Sequence, residues 1–321
     1  MISIVIPIYN ASLYLNQCLD SLLCQTDKDW EAILIDDGSS DNSAEICKQY
    51  AEKDKRFKVV MKKNEGVSKT RNEALSLCTG KYLLFLDADD FLFSDSCLQT
   101  LKYNILHYNA DLVRFEYKAV NEKNVELFTS NNLAIRKKYY SIPVSAAEYC
   151  SKVIRNEYFL CLNLLRNDIV QKNKIRFLVN CRMREDAAFL LTYLSYCSSV
   201  VYLPNIYYAY RKHSGAVTAA SDILTKYSKD LSLVFDSIYS IYKRNGDKSF
   251  KSYLEYFLSE LTVDLRKSEY FKNRYEICKT FKNRALLYKC LSWGCVSNYI
   301  IFIISIIKRI LIKLRVYGAF S

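Results

Sequence analysis

The first ninety residues alternate between short apolar, β-branched runs and segments with helical spacing, and the runs tend to stop at polar clusters. Ile2–Ile8 is followed by Tyr9-Asn10, residues 32–35 by Asp36-Asp37-Gly38, and residues 82–86 by Asp87-Ala88-Asp89-Asp90. A further run spans Phe57–Met61. Between them, residues 12–25 carry Leu15, Leu19, Leu22 and Leu23 at helical spacing, and residues 42–53 and 67–78 also read as helices, the last stopped by Thr79-Gly80. Strands that are apolar along their whole length must be covered on both faces. The pattern therefore predicts an α/β fold, a Rossmann-like and mostly parallel sheet flanked by helices. In such sheets ligands bind beyond the carboxyl ends of the strands, which is where the polar clusters fall.

The rest of the chain is less regular. Residues 111–117 and 125–129 read as strands paired around Asn121–Asn124, residues 145–155 and 185–196 as helices, and residues 200–203 as a strand. From about residue 222 the pattern is helical, a C-terminal extension. We place a catalytic unit at 1–218, with nucleotide binding in 1–110 and the acceptor side in 111–218, and a helical region at 219–321. That boundary rests on a shift in charge: residues 1–215 hold 28 basic and 25 acidic side chains, residues 216–321 hold 18 and 9.

Composition narrows the function classes. Half of the 321 residues are hydrophobic, and there are only 7 Gly and 3 Pro, which excludes a loop-rich or disordered chain. Twelve Cys form no CxxC pair and only two His are present, so the cysteines read as reduced core residues of a cytosolic protein rather than zinc ligands. The N-terminus lacks a basic segment and a cleavage site, so no signal peptide is expected. Residues 290–307 are uncharged and are followed by Lys308, Arg309, Lys313 and Arg315. Such a tail fits an interfacial helix on anionic lipid better than a phosphate backbone; the plainer alternative is a helix packed on the catalytic unit. We expect no nucleic-acid partner, and leave a homo-oligomer open.

The acidic strand ends carry the chemistry. Three carboxylates in Asp87-Ala88-Asp89-Asp90 repel one another unless a cation is present, and hard oxygens suit Mg²⁺ or Mn²⁺ bridging a diphosphate. The competing reading is an acidic turn capping a helix that starts near Ser94. Asp36 or Asp37 can accept hydrogen bonds from a base or ribose, although Asp36-Asp37-Gly38-Ser39-Ser40-Asp41 is also a turn and helix cap. Arg71 can sit near base or phosphates, or on a solvated helix face. A carboxylate of Glu185-Asp186 can act as general base, or simply favour a helix N-terminus. Arg211 and His213, after the aromatic run Tyr207-Tyr208-Ala209-Tyr210, can meet a diphosphate, or form a basic loop.

The order of these elements resembles the family-2 glycosyltransferases, which adopt the GT-A fold. The resemblance is carried by Ser3-Ile4-Val5-Ile6-Pro7-Ile8-Tyr9-Asn10, Ile35-Asp36-Asp37-Gly38-Ser39-Ser40-Asp41, Gly66-Val67-Ser68-Lys69-Thr70-Arg71-Asn72 and Asp87-Ala88-Asp89-Asp90. It continues with Ile175-Arg176-Phe177, Glu185-Asp186-Ala187-Ala188-Phe189 and Tyr208-Ala209-Tyr210-Arg211, and covers about residues 1–218. It implies that Pro7, Tyr9 and Asp36 or Asp37 line the nucleotide-base site with Arg71 beside it. Asp87 would approach the ribose or donor sugar. Asp89 would bind Mn²⁺ or Mg²⁺ with Asp90 next to it, Asp186 would be the catalytic base, and Arg211 and His213 would face the diphosphate. The implied activity is inverting transfer from a nucleotide-sugar, with UDP favoured, to a glycan or lipid-linked acceptor. The implied setting is bacterial surface-polysaccharide assembly, peripheral on the inner face of the cytoplasmic membrane. In the segment 161–166, Cys161 and Leu164 stand where relatives often carry Trp and Lys, which leaves the acceptor open. A nucleotidyltransferase would want a Gly-rich loop and a basic residue after the first strand, and Pro7-Ile8-Tyr9-Asn10-Ala11 has neither. A non-catalytic nucleotide-binding scaffold of a membrane assembly is the remaining alternative.

Overall fold

The computed structural model describes residues 1–130, 136–154, 157–213 and 230–267. The expected 218/219 boundary and the basic tail lie outside the described residues. One nine-stranded sheet runs through the molecule. Its strands are β1 (Ile2–Ile8), β2 (Trp30–Asp36), β3 (Phe57–Met61), β4 (Tyr82–Phe85), β5 (Phe91–Leu92), β6 (Leu112–Val120), β7 (Glu126–Thr129), β8 (Asn163–Arg166) and β9 (Val200–Arg211). The order is β3-β2-β1-β4-β8-β6-β9-β5, with β7 paired to β6. β3, β2, β1 and β4 are mutually parallel, as their apolar runs demand, and so are β6 and β9. β8 enters antiparallel between β4 and β6 and joins the two halves.

Side-chain alternation sorts the core into two layers. Ile2, Ile4, Ile6, Ile8, Ala32, Leu34 and Leu84 face α1 (Ser12–Leu23), α2 (Ser43–Lys53) and α4 (Cys97–His107). Val5, Ile33, Ile35, Leu83 and Phe85 face the other way, onto α3 (Val67–Leu77) and α5 (Glu185–Leu194). The C-terminal helices α6 (Asp230–Arg244) and α7 (Lys248–Lys267) belong to this second layer, since Val234, Phe235, Ile238, Leu254 and Phe257 share its cluster. No helix of the described residues is long and apolar enough to cross a membrane.

Three strands depart from the sequence reading, one of them β8, which falls in a segment read without a strand. β9 does not stop at Leu203 but continues to Arg211, so the aromatic run before His213 is a strand rather than a basic loop. Pro204 does not break it, because the β6–β9 register shifts between the Arg114–Tyr202 and Glu116–Ile206 pairs. Pro204 falls in that irregularity, where its missing N–H forfeits no ladder bond. β5, two residues long, gave no periodic signal at all; it pairs with Tyr208 and Ala209.

The parallel half is pinned at its amino-terminal edge by one buried carboxylate. Glu31 Oε1 accepts from Ser3 Oγ, from Thr79 N at 2.7 Å and Oγ1 at 2.9 Å, and from Gly80 N at 3.2 Å, and Lys58 Nζ meets Oε2. A Cβ on Gly80 would lie 2.6 Å from Ser3 N, so this approach requires glycine. Burial alone would raise the Glu31 carboxyl; the Lys58, Ser3 and Thr79 bonds outweigh it and bring it down to about 2. A carboxyl depressed in this way stabilises the fold fully above its ordinary value of 4.5, and the contribution is lost as pH falls through about 2. Glu31→Gln should therefore lower the thermal midpoint at pH 7, and the gap to the unsubstituted chain should close as melting curves are taken from pH 5 towards pH 2.

Candidate active site

The loops after β1 and β2 are laced together. Asn10, in a left-handed conformation at φ 51°, accepts from Ser40 N at 2.8 Å and donates its own N–H to Ser39 Oγ at 2.9 Å. Ala11 N and Ser12 N donate to Ser43 Oγ and Asp41 Oδ2, each at 2.9 Å. Tyr9, ahead of this knot, is 55% exposed, and Pro7 is half-buried at the end of β1.

The two aspartates that end β2 have different surroundings. Asp37 is consumed by the loop leading to α3: Oδ1 accepts from Lys62 Nζ and Glu65 N, both at 2.9 Å, and Oδ2 from Gly66 N at 2.8 Å. Burial raises its carboxyl, but these bonds prevail and lower it. Asp36 is buried with Oδ2 accepting from Ser39 N at 3.2 Å, while Oδ1 is a buried oxygen with no partner. Gly38 turns the chain just after them at φ 73°, where a Cβ would meet Asn64 N at 2.8 Å. Asp36 is thus the member with an acceptor to offer, and Asp37 shapes the loop.

Arg71 brings the two halves of the chain together. Its guanidinium, buried on α3 and lying 5.3 Å from the centre of the Phe177 ring, donates to Asp87 Oδ1 at 3.1 Å and to Glu185 Oε1 at 3.2 Å. Its Nε is buried without a partner. Burial raises the Asp87 carboxyl and Arg71 opposes the shift. Asp186 follows Glu185 in the first turn of α5 and accepts from Ala187 N at 2.7 Å. Arg184, before them, is held in the left-handed region at φ 62°. Burial, then the Glu185 charge, push the Asp186 carboxyl up to about 7, against the pull of Ala187 N–H and Arg71.

The turn after β4 divides its carboxylates. Asp89 Oδ2 faces outward and meets His213 Nε2 at 2.9 Å. Asp90, expected beside the metal, points inward instead: Oδ1 accepts from Arg211 N at 2.7 Å and Oδ2 from Tyr208 Oη at 2.6 Å. Both of its oxygens are committed to β9, and burial drives its carboxyl up. Arg211, expected at the diphosphate, is likewise turned into the protein. Nε donates to Asp89 O at 2.9 Å, Nη1 to Asn124 Oδ1 at 2.8 Å and Nη2 to Gln17 Oε1 at 2.7 Å. The reason is that β9 continues as a strand to Arg211, so the side chain leaves the sheet among neighbours rather than from a loop. Gln17 escaped the sequence reading, and Tyr208 and Asn124 entered it only within an aromatic run and a turn, since nothing in the sequence says that these side chains hold Asp90 and Arg211.

Asp89 and His213 form the outward-facing pair here, and among the described residues no group of three acidic, His or Cys side chains forms a ready cage. The carboxylate suits Mn²⁺ or Mg²⁺, which keep water and substrate phosphate in most of their shell, and the imidazole nitrogen favours Mn²⁺ over the harder Mg²⁺. Arg211 has a structural load that a diphosphate ligand would not carry. Arg211→Gln, which leaves the Asp89 carbonyl, Asn124 and Gln17 oxygens short of a donor, should destabilise the fold by roughly 1–3 kcal/mol, measured by denaturant unfolding without nucleotide.

Comparison with known proteins agrees with this layout. Residues 3–160 match the model of glycosyl transferase family 2. The glycosyltransferase GlyG of Streptococcus pneumoniae is 28% identical over 244 residues, 72% of this chain and 80% of GlyG. GlyA of the same organism is 40% identical over 121 residues, 38% of this chain, but the match spans only 17% of GlyA's own length. Residues 1–349 of Staphylococcus aureus TarS, in complex with UDP-GlcNAc, share the fold with a TM-score of 0.67 at 22% identity, over 87% of this chain and 78% of that one. With its β3-β2-β1-β4 sheet flanked by helices and its acidic strand ends, this GT-A-fold chain carries a family-2 glycosyltransferase domain over residues 3–160.

Proposed function

We propose that the chain moves a sugar from a nucleotide-sugar, UDP-linked, to a hydroxyl of a glycan or lipid-linked acceptor, with inversion at the anomeric carbon. The observation that carries this reading is the Arg71 bridge, which sets Glu185-Asp186 beside the acidic end of β4. Pro7, Tyr9 and the Asp36-Asp37 strand end line the base site. The TarS complex with UDP-GlcNAc supports a uridine donor. Asp89 and His213 hold Mn²⁺ or Mg²⁺, which when bound neutralises charge on the departing diphosphate. Asp186 takes the proton of the acceptor hydroxyl as its oxygen bonds to the anomeric carbon and the bond to the nucleoside diphosphate breaks. A surface-polysaccharide acceptor at the inner face of the cytoplasmic membrane is supported by the uncharged stretch 290–307 and the basic residues after it.

A panel of nucleotide-sugars assayed for nucleoside-diphosphate release tests the reaction. Release from one donor should be lost with EDTA, in Asp89→Ala and in Asp186→Asn; no release from any donor, together with no metal-dependent nucleotide binding by calorimetry, counts against it. The Asp186 base makes a second demand. A carboxyl raised to about 7 is mostly protonated below that value, so kcat/KM should rise tenfold per pH unit below pH 7 and level off above it. The same raised value means its favourable contribution to stability is present only at low pH and is lost as pH rises through about 7. Asp186→Asn should accordingly melt no lower than the unsubstituted chain at pH 8, separating lost activity from lost fold.

A further inference from the structure

His213 lies two residues past the end of β9, on chain that has left the sheet, and one face of its surroundings is supplied by α1. The Tyr14 ring sits 5.0 Å from the imidazole, centroid to centroid, tilted by 45°. The same ring lies 4.8 Å from the Arg211 guanidinium, which is itself fixed by Gln17 one turn further along α1. Tyr14 is half-buried, and its N–H donates to Ala11 O at 2.9 Å in the first turn of the helix. That turn is anchored from the β2 side by Ser43 Oγ on Ala11 N and Asp41 Oδ2 on Ser12 N. Tyr14 is therefore held by the loop that follows the base-side aspartates and touches the residue that meets Asp89.

An imidazole serves a metal only when its ring plane is fixed, because the lone pair of Nε2 has one direction; the groups that fix a ligating ring alter metal affinity by about 10–100-fold. We propose that Tyr14 is a positioning residue of the cation site: its ring orients the His213 imidazole against Asp89 and so sets the affinity of this site for a divalent cation. This rests on the reading of Asp89 and His213 as cation ligands. The contact is made ring to ring, so the ring rather than the hydroxyl carries the effect.

The test is a Mn²⁺ titration of the full chain with UDP present, bound Mn²⁺ being followed by electron paramagnetic resonance. Tyr14→Leu should weaken Mn²⁺ binding about tenfold, and Tyr14→Phe should restore it to within about twofold of the unsubstituted chain, since it keeps the ring. Thermal midpoints of both variants, and their UDP affinity in EDTA, should stay at the unsubstituted values. His213→Ala should lose at least as much Mn²⁺ affinity as Tyr14→Leu, and the double variant should be no weaker than His213→Ala alone, because Tyr14 acts through that ring. Unchanged Mn²⁺ binding in Tyr14→Leu, an additive loss in the double variant, or a matching loss of UDP binding in EDTA overturns the proposal while leaving the cation site standing. An unsubstituted chain that takes up no Mn²⁺ overturns the cation reading and the proposal together.

Discussion

Arg71 answers a problem that the fold creates. Parallel strands deliver their carboxyl ends to one side, and this chain puts Asp87, Asp89 and Asp90 there, with Glu185 and Asp186 arriving from a distant part of the sequence. Carboxylates brought this close in a partly dry setting resist being charged together. One guanidinium that donates to Asp87 and to Glu185 relieves part of that repulsion and fixes the distance between the two groups at the same time. A lysine could supply the charge, but not the planar fork whose separate nitrogens reach the two carboxylates here. The position of α5 relative to β4, and with it that of Asp186, depends on this contact and on the Phe177 ring beside it. Phe177 in turn stacks on Phe189 at 4.2 Å, inside the second core layer.

A second buried arginine does the corresponding work on the other flank. Arg211 ties the Asp89 carbonyl, α1 through Gln17 and the β6–β7 turn through Asn124 into one unit, while its backbone N–H and Tyr208 hold Asp90. Tyr208 Oη also accepts from Asp87 N at 3.3 Å, so both ends of the acidic turn hang on β9. The acidic motif therefore divides its labour. Asp90 and the Asp89 backbone are structural, the Asp87 side chain is shared with Arg71, and the Asp89 carboxylate is left facing outward toward His213.

The parallel half of the sheet was legible because its signal is redundant. Continuous apolar strands, helical leucine spacing and polar strand ends agree, and β1 to β4 fall within a residue or two of where the sequence puts them. The acidic strand ends were legible in the sequence, but the partner each side chain takes was not. Nothing in Asp36-Asp37 says which side chain Lys62 and Gly66 will claim, and nothing in Asp87-Ala88-Asp89-Asp90 says which carboxylate will turn inward. Those outcomes depend on partners 25 to 121 residues away. Arg211 was misplaced for the same reason: a cationic residue after an aromatic run looks like the start of a loop until the pairing of β9 with β6 carries the strand to it.

Asp186, the base of the reaction we propose, shows how these structural decisions bear on that chemistry. At the N-terminus of α5 the helix dipole and the Ala187 N–H both favour its charged form. Burial and the adjacent Glu185 favour the neutral form, and they prevail. The balance is set by where Glu185 spends its charge: its Oε1 is held by Arg71, so the carboxylate that destabilises a charged Asp186 is itself partly neutralised by the residue that steadies Asp87. A left-handed Arg184 immediately upstream costs backbone strain that a glycine would avoid, and it fixes the entry of the chain into that first turn. A carboxylate poised near neutrality, rather than fully charged or fully protonated, is what proton transfer from a hydroxyl requires. Here it follows from an ordinary helix start, one shared arginine and the closeness of the two halves that the arginine joins.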